Sequence, residues 1–208
     1  MEKPMKKLLN LKYNLKTKAM PIVAGVALLG LSACATVFNN MQHSSLSSVS
    51  KLSASAIAKA VDIKNTEYDS DITYTAQGVV LPVKDAMSLK NSEYYQLVAI
   101  KDKANGDTSY VLRVNIKYFA ADVKRYDTAS DKTAKQFEVI TVTPKVASCH
   151  VSGFCDYVES VGISISKHYL DSHKSKGLDL RLTGATKDDL FIKVPANYIK
   201  GFLQAVNS

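Results

Sequence analysis

The sequence predicts an α+β domain, an antiparallel sheet of about six or seven strands, curled or sandwich-like, with a C-terminal amphipathic helix. Three observations point there. From about residue 71 apolar residues fall at alternate positions, as Ile72, Tyr74 and Ala76 do around Thr73 and Thr75. Residues 94–101 and 108–119 flank Asp102-Lys-Ala-Asn-Gly-Asp107, where Asn105-Gly106 suits the positive φ angles of a tight hairpin. Near the C-terminus Tyr198, Ile199, Phe202, Leu203 and Val206 recur at i, i+3, i+4 spacing after Pro195, a residue suited to a first helical turn. Strands in series with helices at the ends make an α+β arrangement.

Ahead of this domain lies a different kind of segment. The first eighteen residues carry Lys3, Lys6, Lys7, Lys12, Lys16 and Lys18 against one acid, Glu2. The twelve residues from Met20 to Leu31 bear no charge. That length suits the apolar region of an export signal, and falls short of the roughly 20 residues a membrane-spanning helix needs. Leu31-Ser32-Ala33-Cys34 follows directly.

These four residues resemble the lipobox of bacterial lipoprotein precursors at every position. The resemblance implies that the Cys34 thiol receives a diacylglycerol, that a peptidase cuts between Ala33 and Cys34, and that the new amino group is acylated. Acyl chains at about 0.8 kcal/mol per buried methylene would then hold the protein on the membrane. Ala35 stands where an inner-membrane retention signal commonly has Asp, which implies the outer membrane, periplasmic face. Ala33-Cys34-Ala35 also fits an ordinary A-x-A secretory site, which would leave a soluble periplasmic protein. The expected organisation is thus a signal peptide at 1–33, a lipidated Cys34 with a Ser-rich tether over 34–55, and one globular domain over 63–208.

The charge balance changes once the leader is set aside. The whole chain has 27 basic and 19 acidic residues, net +8. Residues 34–208 have 21 and 18, net +3, so most of the excess belongs to the leader and nucleic-acid binding loses its support. The remaining 175 residues suffice for one domain with a core of its own.

Taken in order, residues 35–55 hold seven serines between Ser44 and Ser55, as a tether would. Leu46, Val49, Leu52, Ile57 and Val61 nevertheless recur near helical spacing and predict a helix over 46–62. Gly78-Val-Val-Leu-Pro82 continues the first strand, and 83–92 reads as a short helix. In the hairpin's second strand Tyr110, Leu112, Val114, Ile116 and Tyr118 share one face, while Ser109, Arg113, Asn115 and Lys117 take the other. Residues 121–134 are polar and read as loop. Strands follow over 137–146 and 156–166, then a hairpin from 178–183 and 190–194 around Gly184-Ala-Thr-Lys-Asp-Asp189. Gly201 within the final helix costs about 1 kcal/mol against alanine and suits close approach to the strands.

Cys149-His-Val-Ser-Gly-Phe-Cys155 falls between two strands. In an oxidising compartment, with Cys34 lipidated, two cysteines remain, and five intervening residues let them meet. A Cys149–Cys155 disulfide at a hairpin tip would add on the order of 2 kcal/mol by the chain-entropy argument. The alternative is a metal site using both thiols with His150 and His168 or His173, but the spacing departs from the usual C-x₂₋₄-C pairs.

The order of parts over 94–206 also resembles a set of small, functionally uncharacterised proteobacterial lipoproteins. The residues carrying it are Arg125-Tyr-Asp-Thr-Ala129, the Cys149…Cys155 loop, Leu180-Arg-Leu-Thr-Gly184 and Pro195-Ala-Asn-Tyr-Ile-Lys-Gly-Phe-Leu203. It implies topology and localisation and transfers no site.

Catalytic patterns are sparse. Gly162-Ile-Ser-Ile-Ser166 is the nearest approach to G-x-S-x-G, yet it lacks the second glycine and lies in an alternating strand. Asp102, Asp107, Asp188 and Asp189 are turn acids, and no glycine-rich phosphate loop is present. The eleven tyrosines read as core or cross-strand packing before they read as a binding face. The expected function is a lipid-anchored envelope module that is structural or binds a protein partner, without catalytic activity, catalytic residue, cofactor or metal. The alternatives are a small-ligand-binding or lysozyme-inhibitor-like module and, last, an envelope hydrolase.

Overall fold

The computed structural model describes residues 43–82, 92–150 and 152–208. The signal-peptide and lipobox residues Leu31, Ser32, Ala33 and Cys34, and residues 83–91 of the helix expected over 83–92, lie outside the described residues; Ser92 begins a strand. The described residues cluster as one unit.

The described residues hold thirteen strands and four helices in two sheets, an α+β arrangement with more strands than the sequence predicts. The larger sheet is built on the hairpin of β5 (Ser92–Asp102) and β6 (Thr108–Ala120), paired from Ser92↔Lys117 to Lys101↔Thr108. Its reversal differs from a two-residue turn. Gly106 alone takes positive φ, at 77°, while the Asp102 and Asn105 side chains accept the amides of Ala104 and Asp107 at 2.7 and 2.8 Å. On the other edge of β6 lies β11 (Cys155–Ser164), antiparallel over ten residues.

Short strands complete this sheet. The far edge of β5 is shared by β3 (Asp71–Thr75) and β4 (Val79–Val80), with β2 (Asp62–Lys64) beyond β3 and β1 (Ser44–Ser45) parallel to β4. The far edge of β11 takes β9 (Val139–Thr141) and then β10 (Lys145–Cys149). The sequence reading has one strand over 137–146; the structure breaks it before Pro144 and divides its residues between the two sheets.

The second sheet runs β13 (Asp189–Val194), β12 (Leu178–Gly184), β7 (Tyr126–Asp131) and β8 (Gln136–Phe137). The strand β7 corrects the expected loop over 121–134. It has few β-branched residues, but pairing with both β12 and β8 satisfies its backbone, and Tyr126, Ala129 and Ser130 are buried.

The expected helix over 46–62 is two shorter ones, α1 (Leu46–Val49) and α2 (Ala54–Lys59). The serines that argue against a continuous helix act as its caps: Ser45 accepts the Ser48 amide and Ser53 the Ala56 amide. Buried Val49 and Ile57 make residues 44–59 part of the folded body, so the tether expected over 34–55 does not extend through them. The sequence reading also leaves out α3 (Lys167–His173), capped by Ser166, which buries Tyr169 and Leu170.

The last helix, α4 (Ala196–Val206), buries Tyr198, Ile199, Phe202, Leu203 and Val206 in a core shared by both sheets. Each such side chain contributes about 1.5–3 kcal/mol by removal from water. Edge-on ring contacts set α4 on the large sheet, Tyr198 against Tyr95 and Phe202 against Tyr110. Gly201 serves a neighbour other than the expected strands. A Cβ there would lie 2.5 Å from the Ala54 carbonyl oxygen and 2.7 Å from Ile57 Cβ, so it marks the crossing of α2 and α4.

One buried carboxylate ties the sheets together. Glu159 on β11 is 0% exposed. It accepts the Tyr118 hydroxyl of β6 and the backbone amides of Arg125 and Tyr126, at 3.1 and 3.2 Å, where the chain enters β7.

Replacing Gly201 by alanine should destabilise the protein by about 1–3 kcal/mol in urea unfolding, because overpacking the helix crossing outweighs the gain in helix propensity. Unchanged or higher stability would mean that α2 does not seat there.

Candidate functional site

Of the sequence-predicted site residues, the structure brings together Cys149 and Cys155. They are direct cross-strand partners of β10 and β11, with Cα atoms 4.0 Å apart and sulfurs at disulfide distance. Around them Phe119 stacks on Phe154 with centroids 5.4 Å apart, and His150 meets Phe119 edge-on. His150 Nε2 lies 3.3 Å from Asp156, which also accepts the Ser148 hydroxyl at 2.6 Å. Val146 is 57% and Phe154 42% exposed, so this tip of the large sheet presents apolar surface to solvent.

The other histidines lie elsewhere. His43 packs against Tyr94 and Gly78, and burial lowers its pKa. His173 stacks on Tyr169 and contacts its carbonyl oxygen at 2.8 Å, while His168 lies exposed on α3. Among the described residues no three His, Cys, Asp or Glu side chains gather as a metal site. Gly162 and Ser164 lie within β11 as the strand reading places them. Asp188 and Asp189 accept the Thr186 and Thr183 hydroxyls, which is turn chemistry. Eight tyrosines, including Tyr95, Tyr118 and Tyr198, are core residues.

A second feature has no counterpart among the sequence-predicted sites. The outward face of the small sheet carries a groove of about 430 Å³ lined by Ser130, Asp131, Lys132, Asp179, Arg181, Phe191 and Lys193, among others. Strand alternation builds it. Leu178, Leu180 and Leu182 of β12 and Leu190, Ile192 and Val194 of β13 point into the core, which sends Asp179, Arg181, Phe191 and Lys193 outward. Ladder pairing then sets Arg181 between Ser130 and Phe191, and Asp179 opposite Lys193. Lys132 Nζ reaches Asp179 at 2.6 Å, and Arg181 lies 4.0 Å from Asp189. The signal was present in the sequence: Phe191 is a large apolar residue on the wet face of an alternating strand.

One end of the groove is fixed by Asp131. Its carboxylate accepts the Tyr169 hydroxyl, the Thr133 hydroxyl and amide at 2.7 Å each, and the Lys135 amide at 3.0 Å. The Lys135 ammonium lies over the Tyr169 ring, 4.1 Å from its centroid. Desolvation by itself would raise the Asp131 pKa, but the hydrogen bonds from Tyr169, Thr133 and Lys135 outweigh it and hold the carboxyl at about 2. Burial and the adjacent Asp131 push the Tyr169 hydroxyl up.

A carboxyl depressed on folding contributes stability that is full above its unfolded pKa, near 3.8, and is lost as pH falls towards about 2. Asp131→Asn should therefore lower stability at pH 7, and the gap to wild type should narrow between pH 4 and about 2. Urea unfolding of both proteins across that range checks this. A gap independent of pH would show that the carboxylate charge is not what holds the turn.

Comparison with protein-family models, with curated proteins and with solved structures found no match to this chain.

Proposed function

We propose that this protein is an exported bacterial lipoprotein, anchored through Cys34 to the outer membrane and facing the periplasm, whose domain binds a partner in the envelope and carries out no catalysis. The observation that carries the reading is the run of six lysines, the uncharged stretch Met20 to Leu31 and Leu31-Ser32-Ala33-Cys34, in that order. The cysteine pair supports export independently, since disulfides persist in oxidising compartments and are rare in the cytosol. No described helix is long and apolar enough to cross a membrane.

The disulfide tip supports the binding half of the proposal. Phe119 and its stacked partner Phe154 expose apolar surface beside a strand, β10, whose residues are all exposed, while Val146, in register with Tyr157, adds apolar surface on the other face. Exposed contiguous apolar surface marks contact sites, and a short disulfide limits the ordering cost of one. An envelope protein partner therefore fits this end of the large sheet.

Intact mass of protein purified from membranes tests the proposal. The expected mass is residues 34–208 plus acyl chains, increasing by two protons on reduction. A protein beginning at Thr36 without lipid would replace the anchored reading with a soluble periplasmic one. An unprocessed chain with free thiols would end the export reading.

A further inference from the structure

We infer that the groove on the outward face of the small sheet is a binding site for a small amphipathic monocarboxylate, with Arg181 and Lys193 holding the acid and Phe191 the apolar part. The inference does not depend on where the protein resides. A volume of about 430 Å³ lies within the range of small-molecule sites, which combine apolar walls with a few convergent polar groups. Here the wall is the half-exposed Phe191 ring, 55% accessible on a face that is otherwise polar. Ala134 and the methylene stems of the lining lysines extend it.

The charge inventory selects the ligand's sign. Asp179 is matched by Lys132, and Asp131 is engaged by Tyr169, Thr133 and Lys135. Arg181 touches Asp189 only at 4.0 Å, and among the described residues Lys193 forms no ion pair. Hydrogen bonds from neutral donors leave Asp131 its charge, so the lining carries three cations, Lys132, Arg181 and Lys193, against two carboxylates, Asp131 and Asp179, one positive charge in excess. The guanidinium fork suits two-point contact with a carboxylate. With only one positive charge in excess, Asp131 and Asp179 in the lining and Asp189 beside Arg181 would repel a second negative charge, which favours a monoanion over a phosphomonoester. Arg181 and Phe191 are direct cross-strand partners, so an acid on one and an apolar group on the other span a single ladder step.

The test is an NMR titration of the full-length protein with phenylacetate, with neutral phenylacetamide and dianionic phenyl phosphate as comparators. Phenylacetate should bind saturably, with a Kd of about 1 mM for so small a ligand, and shift resonances of Phe191 and Arg181. Both comparators should bind about tenfold more weakly. Arg181→Gln, and separately Lys193→Gln, should each weaken phenylacetate by about tenfold; both side chains are exposed, and unchanged far-UV circular dichroism would confirm their folds. No saturable shift, equal binding of phenylacetamide, tighter binding of phenyl phosphate, or indifference to both substitutions would overturn the inference.

Discussion

The structure depends on keeping the Glu159 carboxylate satisfied away from water. An isolated buried carboxylate costs several kcal/mol, and here three donors offset that cost: the Tyr118 hydroxyl and the amides of Arg125 and Tyr126. Arg125 holds a positive φ of 53° to present those consecutive amides. Tyr118 in turn accepts the Lys124 amide at 3.0 Å, so the connection between β6 and β7 is fixed at three successive residues. The carboxylate belongs to the large sheet and the amides to the entry of the small one. Separating the sheets would keep the Tyr118–Glu159 bond, which lies within the large sheet, but would leave the carboxylate without the two amides and those amides without their acceptor.

Other contacts continue from that point. Ala185 donates to the carbonyl oxygens of Lys124 and Arg125, and the lack of a side chain at Gly184 leaves room for Lys124, whose oxygen would lie 2.7 Å from a Cβ. Thr141 on β9 donates to the Tyr126 carbonyl, and Tyr95 on β5 to that of Lys193. With the small sheet held this way, α4 fills the space beneath it and Arg181, Phe191 and Lys193 remain on the outer face. The groove is thus a consequence of the same packing that forms the core.

Strong alternation made the main strands legible in the sequence. Tyr110 to Tyr118 place their apolar residues inward as read, Leu178 to Leu182 form a strand as read, and the stripe from Tyr198 to Val206 is the buried face of α4. What escaped was structure made by pairing rather than composition. In β7, Ala129 and Ser130 are small and weakly β-prone, and they are buried because β12 and β8 flank them. The helix α3 has two apolar residues among polar neighbours, and Ser166 caps it where no periodicity is visible. The cysteine pairing was readable from spacing. Phe191 on the wet face was visible, but the groove also needs a register between strands 51 residues apart in sequence, Arg181 opposite Ser130, which no local pattern supplies.

Native-state hydrogen exchange of the Arg125 and Tyr126 amides tests most directly whether Glu159 locks the two sheets. Exchange should proceed only through global unfolding, with the same denaturant dependence as the slowest amides of β6 and β11. Fast, denaturant-independent exchange at these two amides would contradict the account, because the connection would then open while both sheets stayed folded.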